Sequence, residues 1–222
     1  GRHLLQRTLE ISREYGATEL CVAYFRSDPR AVSFAHRAGF EDRDEILWGS
    51  YDCSKPIPPW ALEKRRSILS QGIRVVPATA FKTECEDWDR QWWTHEMQAI
   101  EDIPSEIPLR GQPFPQWRRQ IEPPFCHLDH VLVALEGRRL VGLTRLGLRH
   151  GDQVNINHMG VNRTHRRRGI ATALKCACID HAVAVGATQL TTQNHAQNPM
   201  FGLNQAFGFQ TTDAQVMGLL HL

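Results

Sequence analysis

The spacing of apolar and polar positions divides the chain into helices and strands that alternate along its length. In the first fifty residues, apolar positions recur first at helical and then at strand spacing. Asp28 followed by Pro29 is typical of a helix start, and Gly16 and Gly39 are typical of helix ends. The predicted elements are a helix over 4–15, a strand over 18–24, a short helix over 29–38 and closing strands within 41–51.

The last fifty residues repeat this order of elements. Asn198 precedes a proline as Asp28 does, and both short helices end in a Gly-Phe pair. Self-similarity of this kind indicates an internal repeat, so we expect two related units in tandem. The predicted elements of the second copy are a helix over 169–185, a strand over 189–193, a short helix over 199–207 and strands from 210 to the end.

The middle of the chain, between the two copies of this element order, supplies elements that the first copy at the start of the chain lacks. Prolines stiffen the start of 54–72, and residues 60–70 can form a helix within it. Trp93, Met97 and Ile100 fall on one face of the next long helix. The predicted elements are a strand over 74–81, a helix over 84–103, a proline-broken loop over 104–115, a helix over 116–121, a hairpin of 131–136 and 140–148, and a strand over 153–161.

These elements predict a domain organisation. We expect residues 1–52 to form the late half of a first unit, 53–72 to form a linker, and 73–222 to form a complete unit. The fold class is α/β (α+β), with a mixed central sheet flanked by helices and preceded by a partial second copy. The chain is either the C-terminal portion of a longer tandem protein or a short gene product, and the sequence leaves both open.

Composition narrows the functional classes. The chain has 222 residues, of which 41% are hydrophobic and 23% charged, as in ordinary globular proteins. A net charge of +2 argues against nucleic acid as the main partner. No apolar run approaches the ~20 residues of a membrane span, so we expect no membrane association. The six cysteines show no Cys-x-x-Cys spacing, which favours free thiols in a cytoplasmic protein.

A basic loop between the predicted strand 153–161 and the helix after it carries the clearest chemistry. It reads Arg166-Arg167-Arg168-Gly169-Ile170-Ala171. Unpaired N–H groups and the helix dipole favour anions at a helix N-terminus, arginines add fork-shaped donors, and glycine permits close approach. The alternative is a solvated turn before a helix.

This loop resembles the Arg/Gln-x-x-Gly-x-Gly/Ala signature of the GNAT superfamily of N-acetyltransferases. Residues 192–209 resemble the second signature of the same family, in which an Asn opens a short helix and a Gly-Phe pair ends it. The order and spacing of the two signatures also fit. The resemblance implies the GNAT fold and acetyl-CoA as co-substrate, with transfer of the acetyl group to a primary amine of a small molecule or peptide.

The resemblance also implies which residues hold acetyl-CoA. A backbone N–H near the end of strand 153–161 polarises the acetyl carbonyl in this family, and the basic loop holds the pyrophosphate. The residues implied for the cofactor are Met159, Gly160, Val161, Arg166, Arg167, Arg168, Gly169, Ile170, Ala171, Thr172, Asn194 and Asn198. Asn198 also suits a helix N-cap, and one residue can serve in both ways.

Two residues are candidates for the catalytic steps. His158 stands beside the polarising backbone and is a candidate general base, although it suits a packed strand histidine equally well. Asn204 occupies the position at which many family members carry a tyrosine that protonates the thiolate. Asparagine cannot act as that acid, so Asn204 is expected to hydrogen-bond the sulfur or the acceptor.

The acceptor is expected to meet an acidic and aromatic stretch. Acid beside aromatic surface suits a cationic amine, and the alternative is a solvated helix with buried tryptophans. His127, Asp129 and His130 resemble a metal cluster only loosely, so no metal is expected. A non-catalytic CoA-binding or interaction module is the alternative function, and monomer or homodimer is left open. The acidic residues of the stretch are Glu84, Glu86, Asp87, Asp89, Glu96, Glu101, Asp102 and Glu106.

Overall fold

A computed structural model describes residues 1–105 and 109–222. Helices and strands follow the predicted order in most of the chain. The helices are α1 (Arg2–Glu14), α2 (Pro29–Arg37), α3 (Pro59–Ser70), α4 (Ala78–Glu84), α5 (Trp88–Glu101), α6 (Phe114–Gln120), α7 (Ile170–Ala184) and α8 (Pro199–Phe207). The strands are β1 (Glu19–Phe25), β2 (Glu41–Asp52), β3 (Ile73–Pro77), β4 (Val131–Glu136), β5 (Arg139–Leu146), β6 (Gln153–Val161), β7 (Gln189–His195) and β8 (Gln210–His221).

The eight strands of the described residues form one mixed sheet in the order β1-β8-β2-β7-β6-β5-β4-β3. Strands β6 and β7 are parallel, and the other neighbours are antiparallel. The helix α7 makes the crossover between the parallel pair, as a parallel connection requires. The mixed sheet and its flanking helices confirm the predicted fold class.

The two copies exchange their closing strands within this sheet. Strand β2 of the first copy pairs with β7 of the second, and β8 of the second pairs with β1 of the first. The registers are equivalent, since Glu19 opposes His221 in one pair and Gln189 opposes Asp52 in the other. The N-terminal part therefore resembles a partial extra copy whose closing strand is built into the sheet of the second copy.

Helix α7 forms the centre of the main core. Nine of its residues are buried, and the helix packs against α3 and against β4, β5 and β6. Helix α3 packs against α7 through Ala61 and Ile68, which are fully buried. The segment predicted as a linker therefore contributes directly to this core. Helix α1, the counterpart of α7, has no buried residue.

The first predicted strand and helix of the second copy are corrected by the structure. The strand predicted over 74–81 ends at Pro77, and α4 begins at the next residue. Proline cannot donate to a strand ladder, and the following Ala-Thr-Ala-Phe run suits a helix. The helix predicted over 84–103 begins only at Trp88, because Cys85 is extended. Part of the predicted loop over 104–115 lies outside the described residues. No helix in the described ranges is long and apolar enough to cross a membrane.

Candidate functional site

A gap opens between the parallel strands β6 and β7 in their second halves. Their pairing runs from Gln153 opposite Gln189 to Ile156 opposite Thr192 and goes no further among the described residues. Both strands continue past that point, to Val161 and His195. The result is a V-shaped opening in the middle of the sheet, at the place where the GNAT resemblance predicts the thioester.

A β-bulge on β6 decides which side chains face each side of the gap. The register with β5 shifts between Arg145, which opposes His158, and Leu146, which opposes Ile156. The extra residue reverses the alternation of side chains. Consequently His158 lies on the side of α5, while Met159 packs against the core that contains α7.

Backbone groups of β6 are free to face the gap. Asn162 N–H donates to Val141 O of β5, at 2.9 Å, so the N–H of Val161 is directed to the opposite edge. The carbonyl of Val161 accepts a hydrogen bond from Arg166 Nε, at 3.1 Å, on that same edge. By alternation, Met159 N–H faces the gap as well. These two amides stand where a carbonyl oxygen could be polarised.

The basic loop is held in an unusual backbone conformation. Arg167 has φ 63°, and it is the one non-glycine residue with positive φ in the described parts of the chain. Gly169, the N-cap of α7, has φ 92°, and no side chain in the described part of the chain caps the helix. Left-handed residues turn successive N–H groups toward one point, which makes an anion-binding concavity. Strain of about 1–3 kcal/mol at such a residue is characteristic of functional loops.

The loop arginines differ in their partners. Arg166 forms an ion pair with Asp102, and Arg168 forms one with Glu136, at 3.0 Å. Arg168 keeps the pKa of Glu136 below its usual value. Arg167 is exposed, and none of the ion pairs among the described residues includes it. Two of the three arginines therefore have internal partners, while Arg167 and the backbone are available to an anion.

Helix α3 adds a cation beside the loop. The Cβ and Cδ atoms of Lys64 lie 3.7 Å from the point at which a Cβ on Gly169 would lie. The side chain therefore runs along the loop and can place its ammonium near a bound phosphate. The sequence predictions do not include Lys64, because its helix falls within the predicted linker.

His158 is half-buried, and one of its ring nitrogens is fully buried and unpartnered among the described residues. Its Nε2 has no hydrogen-bond partner among the described residues. Burial lowers the pKa of His158 to about 4, and nearby Glu96 opposes that shift only in part. The imidazole is therefore neutral near pH 7, which is the state that a proton acceptor requires.

The structure places a second histidine beside the first. His95 of α5 is 3% exposed, and its ring centroid lies 6.1 Å from that of His158. Burial lowers its pKa as well. Sequence analysis missed His95. The available indication was its position on the buried stripe of α5, seven residues after Trp88 and three after Trp92.

The asparagines of the second signature form a small network. Asn198 caps α8, accepting from Met200 N at 3.0 Å. Asn204 is 4% exposed and donates through Nδ2 to Asn194 Oδ1, at 2.6 Å. Its Oδ1 is buried without a partner in the described chain. Asn194 therefore orients Asn204, and the free oxygen of Asn204 can accept a hydrogen bond.

The first copy lies next to the gap through β2, which pairs with β7. Trp48 lies opposite Gln193 in the β2–β7 pair. Trp48 Nε1 and Gln193 Oε1 are both buried without a partner within the described ranges. A hydrogen-bond donor and an acceptor that lie close together and lack partners can bind a polar ligand that offers both an acceptor and a donor.

Most carboxylates of the acidic stretch have partners inside the protein. Glu84 pairs with Arg74, Asp89 pairs with Arg118, and Glu101 pairs with Arg163. Glu96 accepts from Trp92 Nε1 at 2.9 Å and from Trp117 Nε1 at 2.5 Å. Burial raises the pKa of Asp102, but hydrogen bonds from Arg163 and Arg166 outweigh it and leave that pKa below its usual value. Glu106 lies outside the described residues. The stretch thus offers few free charges to a cationic acceptor.

Metal chemistry receives no support from the described side chains. Across 1–105 and 109–222, no group of three or more His, Cys, Asp or Glu residues could hold a metal ion. His130 Nδ1 instead lies 3.0 Å from His181 Nε2, in a pair of imidazoles.

Comparison with known proteins identifies the fold and a family. The model of the acetyltransferase (GNAT) family matches residues 80–209. A GCN5-related N-acetyltransferase from Sphaerobacter thermophilus has a TM-score of 0.70 at 18% identity, over 100% of this chain and 67% of that one. A tandem GNAT protein from the clavulanic acid biosynthesis pathway has a TM-score of 0.68 at 18% identity, over 99% of this chain and 69% of that one.

A third similar structure is a glucosamine N-acetyltransferase region of a fungal multi-domain GH3 β-N-acetylglucosaminidase. Its TM-score is 0.65 at 15% identity, over 96% of this chain and 26% of that one. At these identities the three structures show a common fold. No curated protein matches the chain.

Proposed function

The chain belongs to the acetyltransferase (GNAT) family, and we propose that it transfers an acetyl group from acetyl-CoA to a primary amine. The observation that carries the proposal is the V-shaped gap between β6 and β7, which lies beside an anion-binding loop. Acetyl-CoA has a phosphate-bearing end and a thioester end, and in this proposal the loop binds the first and the gap binds the second.

The loop fits the phosphates through its backbone. Residues 167–169 combine two left-handed conformations with the uncapped start of α7. The amides of Ile170, Ala171 and Thr172 belong to the first turn of that helix, where N–H groups lack helical partners. We assign pyrophosphate binding to these amides and to Arg167, with Lys64 as an additional cation. Arg166 and Arg168 instead hold the loop to Asp102 and Glu136.

The gap fits the thioester. The amides of Met159 and Val161 face it and can donate to the acetyl oxygen as negative charge develops there. Gly160, between them, leaves room for the acetyl group because a side chain there would meet His95 Nε2 at 3.0 Å. Asn194, Asn198 and Asn204 lie on the other side of the gap, where Asn204 Oδ1 can accept from an amide of the cofactor or from its thiol.

The acceptor approaches from the side of α5 and β2. Its amine must lose a proton as it attacks, and two imidazoles whose pKa values are lowered by burial, those of His95 and His158, lie on that side. Since most nearby carboxylates are paired internally, the structure does not favour a strongly cationic acceptor. Trp48 and Gln193 favour one that carries a hydroxyl or amide group near the amine.

A non-catalytic CoA-binding module is the competing proposal. It is favoured by Asn204, which cannot donate a proton to the thiolate as a tyrosine could. However, the thiol of CoA resembles that of cysteine, with a pKa near 8.5, and leaves without strong acid assistance. The two proposals separate in one experiment.

That experiment measures binding and turnover on the same preparation. Calorimetry with acetyl-CoA tests the cofactor site, and free-thiol detection with a panel of amines tests transfer. The transferase proposal expects saturable binding together with amine-dependent thiol release. Binding without thiol release would leave the non-catalytic module, and no binding would refute both.

A further inference from the structure

His95 is fixed in one orientation by a neighbour on β6. Its Nδ1 lies 2.5 Å from Oδ1 of Asn162, the residue that follows that strand. The ring is almost completely buried, so it cannot rotate into solvent. An imidazole held in this way directs its second nitrogen at a single point.

The hydrogen bonds of Asn162 determine which nitrogen of His95 carries the proton. Asn162 Nδ2 donates to Leu140 O, at 2.8 Å, so the amide oxygen is the atom that faces His95. An amide oxygen only accepts hydrogen bonds. His95 Nδ1 must therefore donate, and in the neutral ring Nε2 then carries the lone pair.

That lone pair is directed at the floor of the gap. His95 Nε2 lies 3.0 Å from the point at which a Cβ on Gly160 would lie, and His158 Nε2 lies 3.4 Å from the same point. Both nitrogens are buried without a hydrogen-bond partner in the described chain. Each unmade hydrogen bond costs about 1–3 kcal/mol, so a protein keeps such groups where a ligand completes them.

His95 also lies at a surface opening. An open cleft of about 530 Å³ has His95 and Asn162 in its wall, together with Thr94, Gln98 and Leu140. His95 is therefore at the edge of an opening to solvent, although its Nε2 is itself buried.

We propose that His95 Nε2 accepts the proton of the attacking amine, with Asn162 as the positioning residue that keeps its tautomer. This assignment rests on the transferase function proposed above. The amine nitrogen forms a bond to the acetyl carbon and passes one proton to Nε2, while the carbon–sulfur bond breaks and its electrons leave with sulfur. The imidazolium returns that proton to the thiolate, directly or through water, so the products are an amide and free CoA thiol.

His158 lacks the features that suit His95 for this role. No hydrogen bond within the described ranges fixes the tautomer of its ring. His158 is therefore assigned to the wall of the acceptor site, where its Nε2 can hold the amine or a relay water.

A kinetic test uses variants that separate the two ring nitrogens. In His95→Asn, the amide nitrogen takes the place of Nδ1 and keeps the bond to Asn162, but nothing replaces Nε2. We expect kcat to fall by about a hundredfold to ten-thousandfold, the usual contribution of a general base, with the Kd for acetyl-CoA unchanged. His181→Asn is the matched control, because it removes a half-buried imidazole outside the gap, and it should keep the parent kcat.

Each outcome bears on a different claim. A folded His95→Asn protein with kcat within tenfold of the parent overturns the assignment. The assignment also fails if His158→Asn abolishes turnover while His95→Asn does not. A parent that binds acetyl-CoA but releases no thiol with any amine refutes the transferase function and the assignment with it. Active parent protein with an unimpaired His95→Asn variant refutes the assignment alone.

A spectroscopic test does not depend on turnover or on folding of a variant. NMR of ¹⁵N-histidine-labelled parent protein distinguishes the two neutral tautomers of each ring. In the parent protein we expect His95 to carry its proton on Nδ1. In a separate measurement on a variant, Asn162→Leu should abolish this preference and lower kcat. A parent His95 with its proton on Nε2 would overturn the proposal, since that nitrogen could not accept another.

Discussion

Replacing Gly169 by alanine tests the anion-binding loop against a control at the other end of the same helix. Gly169 has φ 92°, and Gly186, just after α7, has φ 74°. A Cβ would meet only ordinary contacts at either site, with Ile68 Cγ2 at 3.6 Å and with Arg149 Nη1 at 3.7 Å. The cost at both is therefore conformational, about 1–2 kcal/mol for a left-handed non-glycine residue.

The two variants should lose similar stability but differ in binding. Gly169→Ala relaxes the loop away from its left-handed conformation and turns at least one N–H group from the phosphates. A charge-assisted hydrogen bond contributes about 1.5–3 kcal/mol, so the Kd for acetyl-CoA should rise about tenfold to a hundredfold. Urea denaturation measures the free energy of unfolding of each variant, and calorimetry measures its Kd for acetyl-CoA. If Gly169→Ala and Gly186→Ala bind acetyl-CoA equally well, the loop is not the phosphate site.

Three further changes test buried polar groups. Burial lowers the pKa of Lys175 to about 8, so Lys175→Met should raise the free energy of unfolding by up to about 3 kcal/mol at pH 7. This increase should become smaller between pH 8 and 10.5. An increase that does not change with pH would contradict a lowered pKa of Lys175 as its cause. The pKa of His158 is about 4 in the folded protein, so below pH 6.5 the unfolded chain binds a proton that the folded protein does not. The free energy of unfolding should therefore fall by up to about 3 kcal/mol between pH 6.5 and 4. In urea titrations His158→Asn should reduce this pH dependence, and an unchanged pH dependence would contradict a lowered pKa of His158. Gln193→Met removes an unpartnered buried oxygen, so stability should not decrease while KM for the amine rises; an unaltered KM would place Gln193 outside the acceptor site.

Local chemistry in the sequence was sufficient to predict the elements around the gap. Strand β6 occupies Gln153–Val161 and β4 occupies Val131–Glu136, as predicted from apolar runs bounded by turn residues. Asn198 caps α8 because its side chain accepts a hydrogen bond from a free N–H of the first turn. A cap of this kind can be predicted from a single residue type. The GNAT family was likewise predicted from two short signatures and is confirmed.

Pairing between distant strands could not be predicted in the same way. Strands β2 and β8 follow equivalent Gly-Phe pairs, so nothing local distinguishes which of them pairs with β7. The exchange depends on the whole sheet. It also brings Trp48 of the first copy opposite Gln193 of the second, and the sequence of either copy by itself could not predict this pair.

His95 was missed for a related reason. A histidine on a helix beside tryptophans has no distinguishing local pattern, and its role depends on Asn162, which lies far along the chain. Only folding shows that the amide of Asn162 fixes one tautomer and that Gly160 leaves space for the other nitrogen. The domain boundaries and the cofactor contacts remain predictions.

Amine-dependent release of free thiol from acetyl-CoA tests the central claim most directly. Purified chain is mixed with acetyl-CoA and single amines, thiol is followed continuously, and mass spectrometry identifies the acetylated amine. The account predicts saturable thiol release that requires an amine and yields an equal amount of N-acetyl product. Acetyl-CoA that binds at the loop but is never cleaved in the presence of any amine would contradict it.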